Sequence, residues 1–119
     1  MVANPKDMQK KLMRGLLDFT VLQFLKGQPM HGYQVISTLR TNFGVYFGPS
    51  TIYPLLSTLE EKGYLKSKWD FGKNKPRKVY NLTPQGEDML NCTKVSLNFI
   101  YRKLETGLNK APLNTAWIQ

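Results

Sequence analysis

Cationic side chains are concentrated in one short stretch of this 119-residue sequence. Residues 62–82 contain seven of the seventeen lysines and arginines and one acidic residue, Asp70, so this stretch carries +6 of the net charge of +9. Such side chains bind nucleic-acid phosphates and release condensed counterions, which gives affinity with little sequence information. We therefore expect phosphate contacts from these residues: Lys66, Lys68, Lys73, Lys75, Arg77 and Lys78.

A second group of polar residues, Ser50, Thr51 and Tyr53, lies at the start of a predicted helix. Hydroxyl groups at this position can donate to phosphates or contact base edges and thymine methyl groups. The same helix contains no arginine or asparagine for bidentate base contacts, so DNA shape is expected to carry part of the specificity. The structural alternatives are helix capping by Ser50 and Thr51 and packing of Tyr53 against the following hairpin.

Other functional classes find little support in the composition. One cysteine, Cys92, and one histidine, His31, cannot form an intrachain disulfide or a Cys/His zinc cluster. No stretch reaches the roughly 18 consecutive apolar residues of a membrane span, and the N-terminus lacks the cleavage site of a signal peptide. We find no phosphate-binding P-loop motif, no nucleophile elbow and no acid–base pair. We expect a cytoplasmic protein without metal, cofactor, membrane partner or enzymatic activity, an enzyme of unrecognised type being the most distant alternative.

Hydrophobic spacing predicts four helices and one β-hairpin. The predicted helices span about 5–26, 31–41, 49–62 and 84–106, and the predicted strands span 65–71 and 77–82. Pro54 lies inside the third helix, so either regular helix begins near Thr51 or the helix is kinked. Tyr33 is placed on the apolar face of the second helix, and Trp69 and Phe71 are predicted to pack the hairpin against the core.

The order of these elements predicts an α+β, mainly α, winged helix-turn-helix fold with three helices and a β-hairpin wing. In that architecture the third helix presents its first residues to the major groove, and the wing can contact adjacent phosphates or the minor groove. The chain is accordingly divided into a DNA-binding domain at 1–82, a dimerisation helix at 83–107 and a tail at 108–119.

The last predicted helix carries an apolar stripe in which Leu90, Leu97 and Leu104 recur every seven residues, supplemented by Ile100 and Tyr101. The stripe could pack on the first helix of its own chain or on a partner. Burial of each leucine contributes about 1.5–3 kcal/mol, and a complete winged domain leaves little core for this helix to meet. We therefore favour a homodimer, whose two-fold symmetry would match a pseudo-palindromic operator with half-sites about 34–36 Å apart.

Four segments together resemble, in order and separation, the signatures of the PadR family of transcriptional regulators. They are His31-Gly32-Tyr33, Ser50-Thr51-Ile52-Tyr53-Pro54, Leu59-Glu60-Glu61-Lys62-Gly63 and the run from Arg77 to Gly86. The resemblance implies a dimeric winged-helix repressor, released by small aromatic or hydrophobic compounds, with a C-terminal dimerisation helix as in the compact branch of the family. Ser50 departs from the glycine or alanine frequent at its position, so local DNA contacts are expected to differ.

The resemblance also bears on ligand binding. Some compact members stack planar compounds on an aromatic residue of the C-terminal helix. The corresponding stretch here, Lys94-Val95-Ser96-Leu97, has no aromatic residue, so multidrug binding is not carried over, and Phe99 is the nearest candidate ligand contact. The sequence therefore predicts a sequence-specific regulator that binds double-stranded DNA, and the resemblance implies that it is a dimeric repressor released by a small aromatic or hydrophobic effector. The alternative is a winged-helix module that binds nucleic acid or protein without an effector.

Overall fold

The computed structural model describes residues 4–72 and 74–107, which form five helices and a three-stranded antiparallel sheet. In chain order the elements are α1 (Pro5–Gly15), α2 (Leu17–Gly27), β1 (Met30–His31), α3 (Gly32–Phe43), α4 (Pro49–Glu61), β2 (Leu65–Asp70), β3 (Arg77–Leu82) and α5 (Pro84–Thr106). The sheet order is β1-β3-β2. This mainly helical α+β architecture confirms the predicted winged-helix fold.

The predicted first helix is in fact two helices, separated at Leu16. Asn4 caps α1, its side-chain oxygen accepting a hydrogen bond from the Lys6 N–H at 2.9 Å. At Leu16, φ is −109° and ψ is 13°, and its N–H bonds to the Met13 carbonyl at 3.0 Å instead of continuing the α-helical pattern. The prediction of one helix was wrong because the apolar spacing continues across the break, which directly follows the poor helix former Gly15.

Helices α3 and α4 form the helix-turn-helix pair. Gly44 ends α3 in the left-handed conformation, with φ 68°, which favours glycine. Helix α4 begins at Pro49 and runs through Pro54, which lies in its second turn with its side chain exposed. A helix start near Thr51 was therefore the wrong alternative, and the backbone bond that Pro54 forfeits lies on the solvent side.

The sheet joins the wing to the helical core. Strand β3 pairs with β2 in a register that places Leu82 opposite Leu65 and Lys78 opposite Trp69. On its other side β3 pairs with β1, with Met30 opposite Tyr80. Strand β1 was not predicted, because two residues are too short to show an alternating pattern.

The predicted packing of the wing aromatics against the core was wrong. Trp69 is 56% exposed and Phe71, just beyond β2, is 73% exposed. Alternation places Trp69 on the same face of β2 as Leu65. Only Leu65, at the start of that face, belongs to the buried core. The far end of the hairpin extends past the helices that cover Leu65. Two large aromatic side chains are therefore left on the surface of the wing.

The first half of α5 belongs to the core of the winged domain. The Thr83 hydroxyl caps α5, accepting the Gly86 N–H at 3.0 Å and donating to the Gly63 carbonyl at 2.6 Å. Gly86 lies directly against the Tyr64 carbonyl, where any side chain would collide with backbone. One turn further along, Leu90 is completely buried. The structure thus packs residues 84–90 together with the domain that was predicted to end at residue 82.

The second half of α5 projects from this core. The molecule measures 60 × 40 × 21 Å, with a radius of gyration of 17.5 Å against about 13 Å for a compact chain of this size. Along the projecting half, Ile100, Tyr101 and Leu104 are all more than half exposed. The predicted tail at 108–119 lies outside the described residues.

Candidate nucleic-acid interface

The start of α4 presents hydroxyl groups that the helix itself does not use. Its N-cap is Gly48, whose carbonyl accepts the N–H groups of Thr51 and Ile52, both at 3.0 Å. No side chain caps this helix, and both Ser50 and Thr51 are exposed. The capping alternative for these two residues is therefore wrong, which leaves both hydroxyl groups available to an external partner.

The side chain of Tyr53, a residue of α4, lies unusually close to the start of α3. Its ring lies over Gly32, where an added Cβ would come within 2.6 Å of the phenol oxygen, so a larger residue at position 32 would displace the tyrosine ring. The ring of Tyr33 meets that of Tyr53 edge-on, with 6.2 Å between centroids. Burial, helped by Tyr33, raises the pKa of the Tyr53 phenol and keeps it protonated. Tyr53 thus offers an O–H donor from a rigid, preorganised position.

A cleft of about 670 Å³ separates this tyrosine pair from the wing. Tyr33, Tyr53 and Trp69 contribute its aromatic lining. Its cationic lining comes from Lys75, Arg77 and Lys78. A groove with aromatic and cationic walls beside a helix start suits a nucleic-acid backbone, because phosphates bind the cations and sugars pack on the rings.

The structure divides the predicted phosphate-binding residues into groups. Lys75 and Arg77 are exposed and line the cleft. Lys66 and Lys68 are exposed on the face of β2 opposite Ser67 and Trp69, outside the cleft. Lys73 lies outside the described residues.

Lys78 lines the cleft but is partly engaged by its own chain. Its ammonium group lies 3.9 Å from the Glu60 carboxylate and 6.0 Å from the ring centroids of both Trp69 and Tyr80. Of the six predicted cations, Lys75 and Arg77 are therefore the two described residues best placed to meet a phosphate.

Glu60 joins α4 to both strands of the wing. Its Oε2 accepts a hydrogen bond from the Ser67 hydroxyl at 2.6 Å, and its Oε1 faces Lys78. Burial, followed by the charges of Glu60 and Tyr53, raises the pKa of the neighbouring Tyr80 phenol. Sequence spacing did not identify Glu60, because a glutamate near the end of an amphipathic helix is usually solvated.

Replacing Glu60 is expected to loosen the wing. Glu60→Ala should lower the free energy of unfolding by about 1–2 kcal/mol, because it removes a hydrogen bond to a charged acceptor. Glu60→Gln keeps an acceptor for the Ser67 hydroxyl and should lower the free energy of unfolding by less than about 1 kcal/mol. Urea unfolding at one protein concentration measures both, with the exposed neighbour change Glu61→Ala as the charge-matched control. Equal losses for Glu60→Ala and Glu61→Ala would contradict this role.

His31 links the start of α3 to the wing. The His31 side chain and Gln34 form a capping box, which confirms the prediction that His31 starts a helix. Its Nε2 lies 3.0 Å from the Arg77 Nη1. Burial and then the Arg77 charge lower the pKa of His31, which keeps the imidazole neutral beside the cation. A neutral imidazole has a single acceptor nitrogen, so it accepts from the Arg77 guanidinium or from the Gln34 N–H, but not from both at once. The contact places Arg77 beside the start of α3, at the cleft.

Tyr33 was wrongly predicted to lie on the apolar face of α3. It is 62% exposed and lines the cleft, whereas Val35, Ile36 and Leu39 form the buried face of the helix. Its helical spacing to Ile36 was misleading, because the buried face of α3 is centred on Gly32, Val35, Ile36 and Leu39, and Tyr33 lies about 100° around the helix from Gly32. The sequence did contain one signal for the exposed position of Tyr33, namely that this aromatic residue directly follows a glycine, Gly32, at the start of the helix.

The predicted dimerisation residues occupy three environments. Leu90 is buried in the core of its own chain, so its placement does not support a role in contacting a partner. Leu97 is partly buried. Exposed apolar surface remains at Ile100, Tyr101 and Leu104, which we call the α5 apolar face.

Phe99, the predicted ligand contact, lies on a different side of α5 from Leu97 and Leu104. It is 53% exposed, with the Lys103 ammonium 5.6 Å from its ring centroid. Val95, one turn earlier, is 71% exposed on the same side. Phe99 is thus open to an external molecule on a surface separate from the α5 apolar face.

The described residues, 4–72 and 74–107, offer little for other chemistry. Among them, no group of three His, Cys, Asp or Glu side chains could hold a metal ion. Cys92 carries a free, exposed thiol. Within the same part of the chain, no helix combines the length and hydropathy that a membrane span requires.

Comparison with known proteins identifies relatives that are similar to this chain in sequence and fold. Residues 21–91 match the model of the transcriptional regulator PadR-like family. The crystal structure of a PadR family transcriptional regulator from Eggerthella lenta is similar, with a TM-score of 0.76, 33% identity and coverage of 84% of this chain and 88% of that one.

Two further relatives agree. A PadR family transcription regulator from Clostridium difficile superposes with a TM-score of 0.70 at 26% identity, over 76% of this chain and 96% of its own. Transcriptional regulator Rv3488 of Mycobacterium tuberculosis is 26% identical over 98 residues, which are 82% of this chain and 91% of the relative. The chain therefore belongs to the PadR family and is a DNA-binding transcriptional regulator rather than an enzyme.

Proposed function

We propose that this protein is a homodimeric, sequence-specific repressor that binds a pseudo-palindromic operator and releases it on binding a small aromatic or hydrophobic effector. The observation that carries the proposal is the cleft between α4 and the wing. There the phenol of Tyr53 shares one lining with the cations Lys75 and Arg77. The exposed hydroxyls of Ser50 and Thr51 lie outside the cleft, at the start of the helix that carries Tyr53.

The chemistry of each side chain determines its proposed role in DNA binding. Ser50, Thr51 and Tyr53 enter the major groove and contact base edges and phosphates. Lys75, Arg77 and Lys78 bind the DNA backbone that passes through the cleft. Lys73, which belongs to the same cationic segment of the sequence, contributes a further phosphate contact. Lys66 and Lys68, on the other face of β2, add attraction over a longer range.

Dimerisation is proposed to use the α5 apolar face together with Leu97. These side chains project on a helix half that has no core beneath it, and exposed apolar patches of this kind mark interaction sites. Residues 1–82 would then act as the DNA-binding unit and 83–107 as the dimerisation helix, whose first turns also anchor it to that unit. Two-fold symmetry would space the two α4 helices for half-sites about 34–36 Å apart.

Selection of bound sequences from random DNA tests sequence-specific binding. We expect an inverted repeat with half-sites about 10 base pairs apart, which survives excess nonspecific competitor. Thr51→Ala should change the ranking of selected sequences while leaving the salt dependence unchanged, because a base contact is lost and no phosphate contact is lost. Loss of all binding in the presence of competitor would instead favour a nonspecific nucleic-acid or protein-binding module.

The repressor and effector parts of the proposal need their own readouts. A reporter gene placed behind the selected sequence should be expressed less when the protein is present. A panel of planar aromatic compounds should release the protein from the same DNA, and Phe99→Ala should reduce that release without weakening DNA binding. Increased reporter expression, or DNA binding that no compound in the panel alters, would contradict the corresponding part.

A further inference from the structure

The wing carries exposed aromatic surface that the fold does not require. Phe71, at 73%, is the most exposed of the large hydrophobic side chains in the described part of the chain, and Trp69 is 56% exposed. Their rings lie against each other, with 6.5 Å between centroids. We call these two residues the wing aromatic pair. Neither residue belongs to the buried core, so their exposure calls for an external partner.

The charge around the wing aromatic pair selects the class of that partner. Lys78 lies 6.0 Å from the centre of the Trp69 ring, and both Lys75 and Arg77 line the same cleft as Trp69. The nearest acidic side chain on the strand, Asp70, is engaged by the Gly72 N–H at 2.9 Å. Aromatic rings set among cations fit a polyanion that also offers stacking surfaces, which is the chemistry of nucleic acid. Contact between the wings of two copies is disfavoured, because each wing segment, residues 62–82, carries a net charge of +6.

The two rings are placed for different roles. Trp69 lines the cleft and is covered on one side by the Lys78 ammonium, so it is part of the wall. Phe71 lies one step beyond the end of β2, at the turn, and extends further from the helices. When α4 occupies the major groove, a wing on its flank reaches the neighbouring minor groove. An apolar side chain that enters a minor groove can wedge between base pairs and kink the duplex.

We infer that Phe71 is a minor-groove wedge, supported from behind by Trp69, that unstacks one base step beside each half-site and bends the operator. This inference rests on the proposed DNA-binding function and adds a mode of recognition to it. Flexible steps such as TA or CA, which kink most easily, would then be preferred at positions that α4 does not contact. Indirect readout of this kind supplements a recognition helix that has no arginine or asparagine.

The test uses the full chain and the DNA selected from random sequence. Donor and acceptor dyes at the two duplex ends report bending, and 2-aminopurine placed at successive steps reports unstacking. The variants are Phe71→Ala, Phe71→Leu, which keeps an apolar wedge, and Tyr46→Ala, which removes another exposed aromatic side chain away from the wing.

The wild type should bend the DNA and raise 2-aminopurine fluorescence at one step in each half-site. Phe71→Ala should abolish the fluorescence rise. It should also weaken binding by roughly thirtyfold, because each of the two subunits loses a contact of about fivefold, the low end for one base–aromatic stack. Phe71→Leu should keep most of both signals, and Tyr46→Ala should keep the unstacking signal.

Three results would overturn the inference. A wild-type complex with straight, fully stacked DNA would do so while leaving the proposed function intact. Unchanged bending and unstacking with Phe71→Ala would do the same. A Phe71→Ala variant whose only change is its oligomeric mass would also overturn the inference, because the wing aromatic pair would then contact protein and not DNA. Failure of the wild type to bind any selected DNA would overturn the proposed function together with the wedge.

Discussion

The double change Ile100→Asp with Leu104→Asp is expected to convert the protein to a monomer and to weaken operator binding by at least ~100-fold. A dimer binds its second half-site at high effective concentration, an advantage of roughly 10²–10⁴ that a monomer loses. Both side chains are exposed on the projecting half of α5, at 53% and 66%, so the substitutions bury no charge within the chain. Light scattering gives the mass, and fluorescence anisotropy gives the affinity.

The matched control for this prediction is Asn91→Asp with Asn98→Asp. Both asparagines are exposed on the same helix, and the pair adds the same two negative charges outside the α5 apolar face. The control should stay dimeric and retain binding within a few-fold of the wild type, since surface charges away from a contact have small effects. A double variant of the apolar face that keeps its dimer mass would contradict the proposed interface.

The three leucines of the α5 stripe are not equivalent targets for substitution, because they differ in burial. Leu90, Leu97 and Leu104 share a seven-residue spacing, which is all that the sequence records about them. The structure separates them by depth, from completely buried at Leu90 to 66% exposed at Leu104. Spacing predicts a face of a helix, but it does not predict how far along that face the core extends. For this reason Ile100 and Leu104 are better targets than Leu90, whose replacement would unfold the chain.

The winged-helix order was predictable because each element has a strong local signal. The period changes from helical to alternating after Gly63, and Pro5 and Pro84 follow good capping residues at helix starts. The break at Leu16 was missed because the apolar spacing continues across it, and β1 was missed because two residues are too few to show an alternating pattern.

The candidate site was predictable in composition and less so in arrangement. The cationic segment lies in the predicted hairpin, but alternation along β2 places Lys66 and Lys68 on the face away from the cleft. Contacts between distant residues had no sequence signal: Arg77 meets His31 across 46 positions of the chain. The exposure of Phe71 was also missed, because a strand pattern does not show where the supporting helix ends.

The second large effect concerns the cations of the cleft. Lys75→Ala with Arg77→Ala is expected to weaken binding to every DNA sequence by at least ~100-fold at physiological salt, since phosphate contacts carry affinity but little specificity. Each of the two subunits would lose two contacts, so the slope of log affinity against log salt should fall by about 3 to 4, at roughly 0.9 for each phosphate. The control, Lys66→Ala with Lys68→Ala, removes the same charge from the opposite face of β2. Thermal unfolding confirms that both variants are folded.

The salt dependence of DNA binding, measured by anisotropy for the wild type and these two double variants, tests most directly whether DNA lies in the cleft between α4 and the wing. The predicted result is a clearly flatter slope for Lys75→Ala with Arg77→Ala and a much smaller change for Lys66→Ala with Lys68→Ala. Equal slopes for the two double variants would contradict it, because the DNA would then respond to the charge of the wing and not to the cleft.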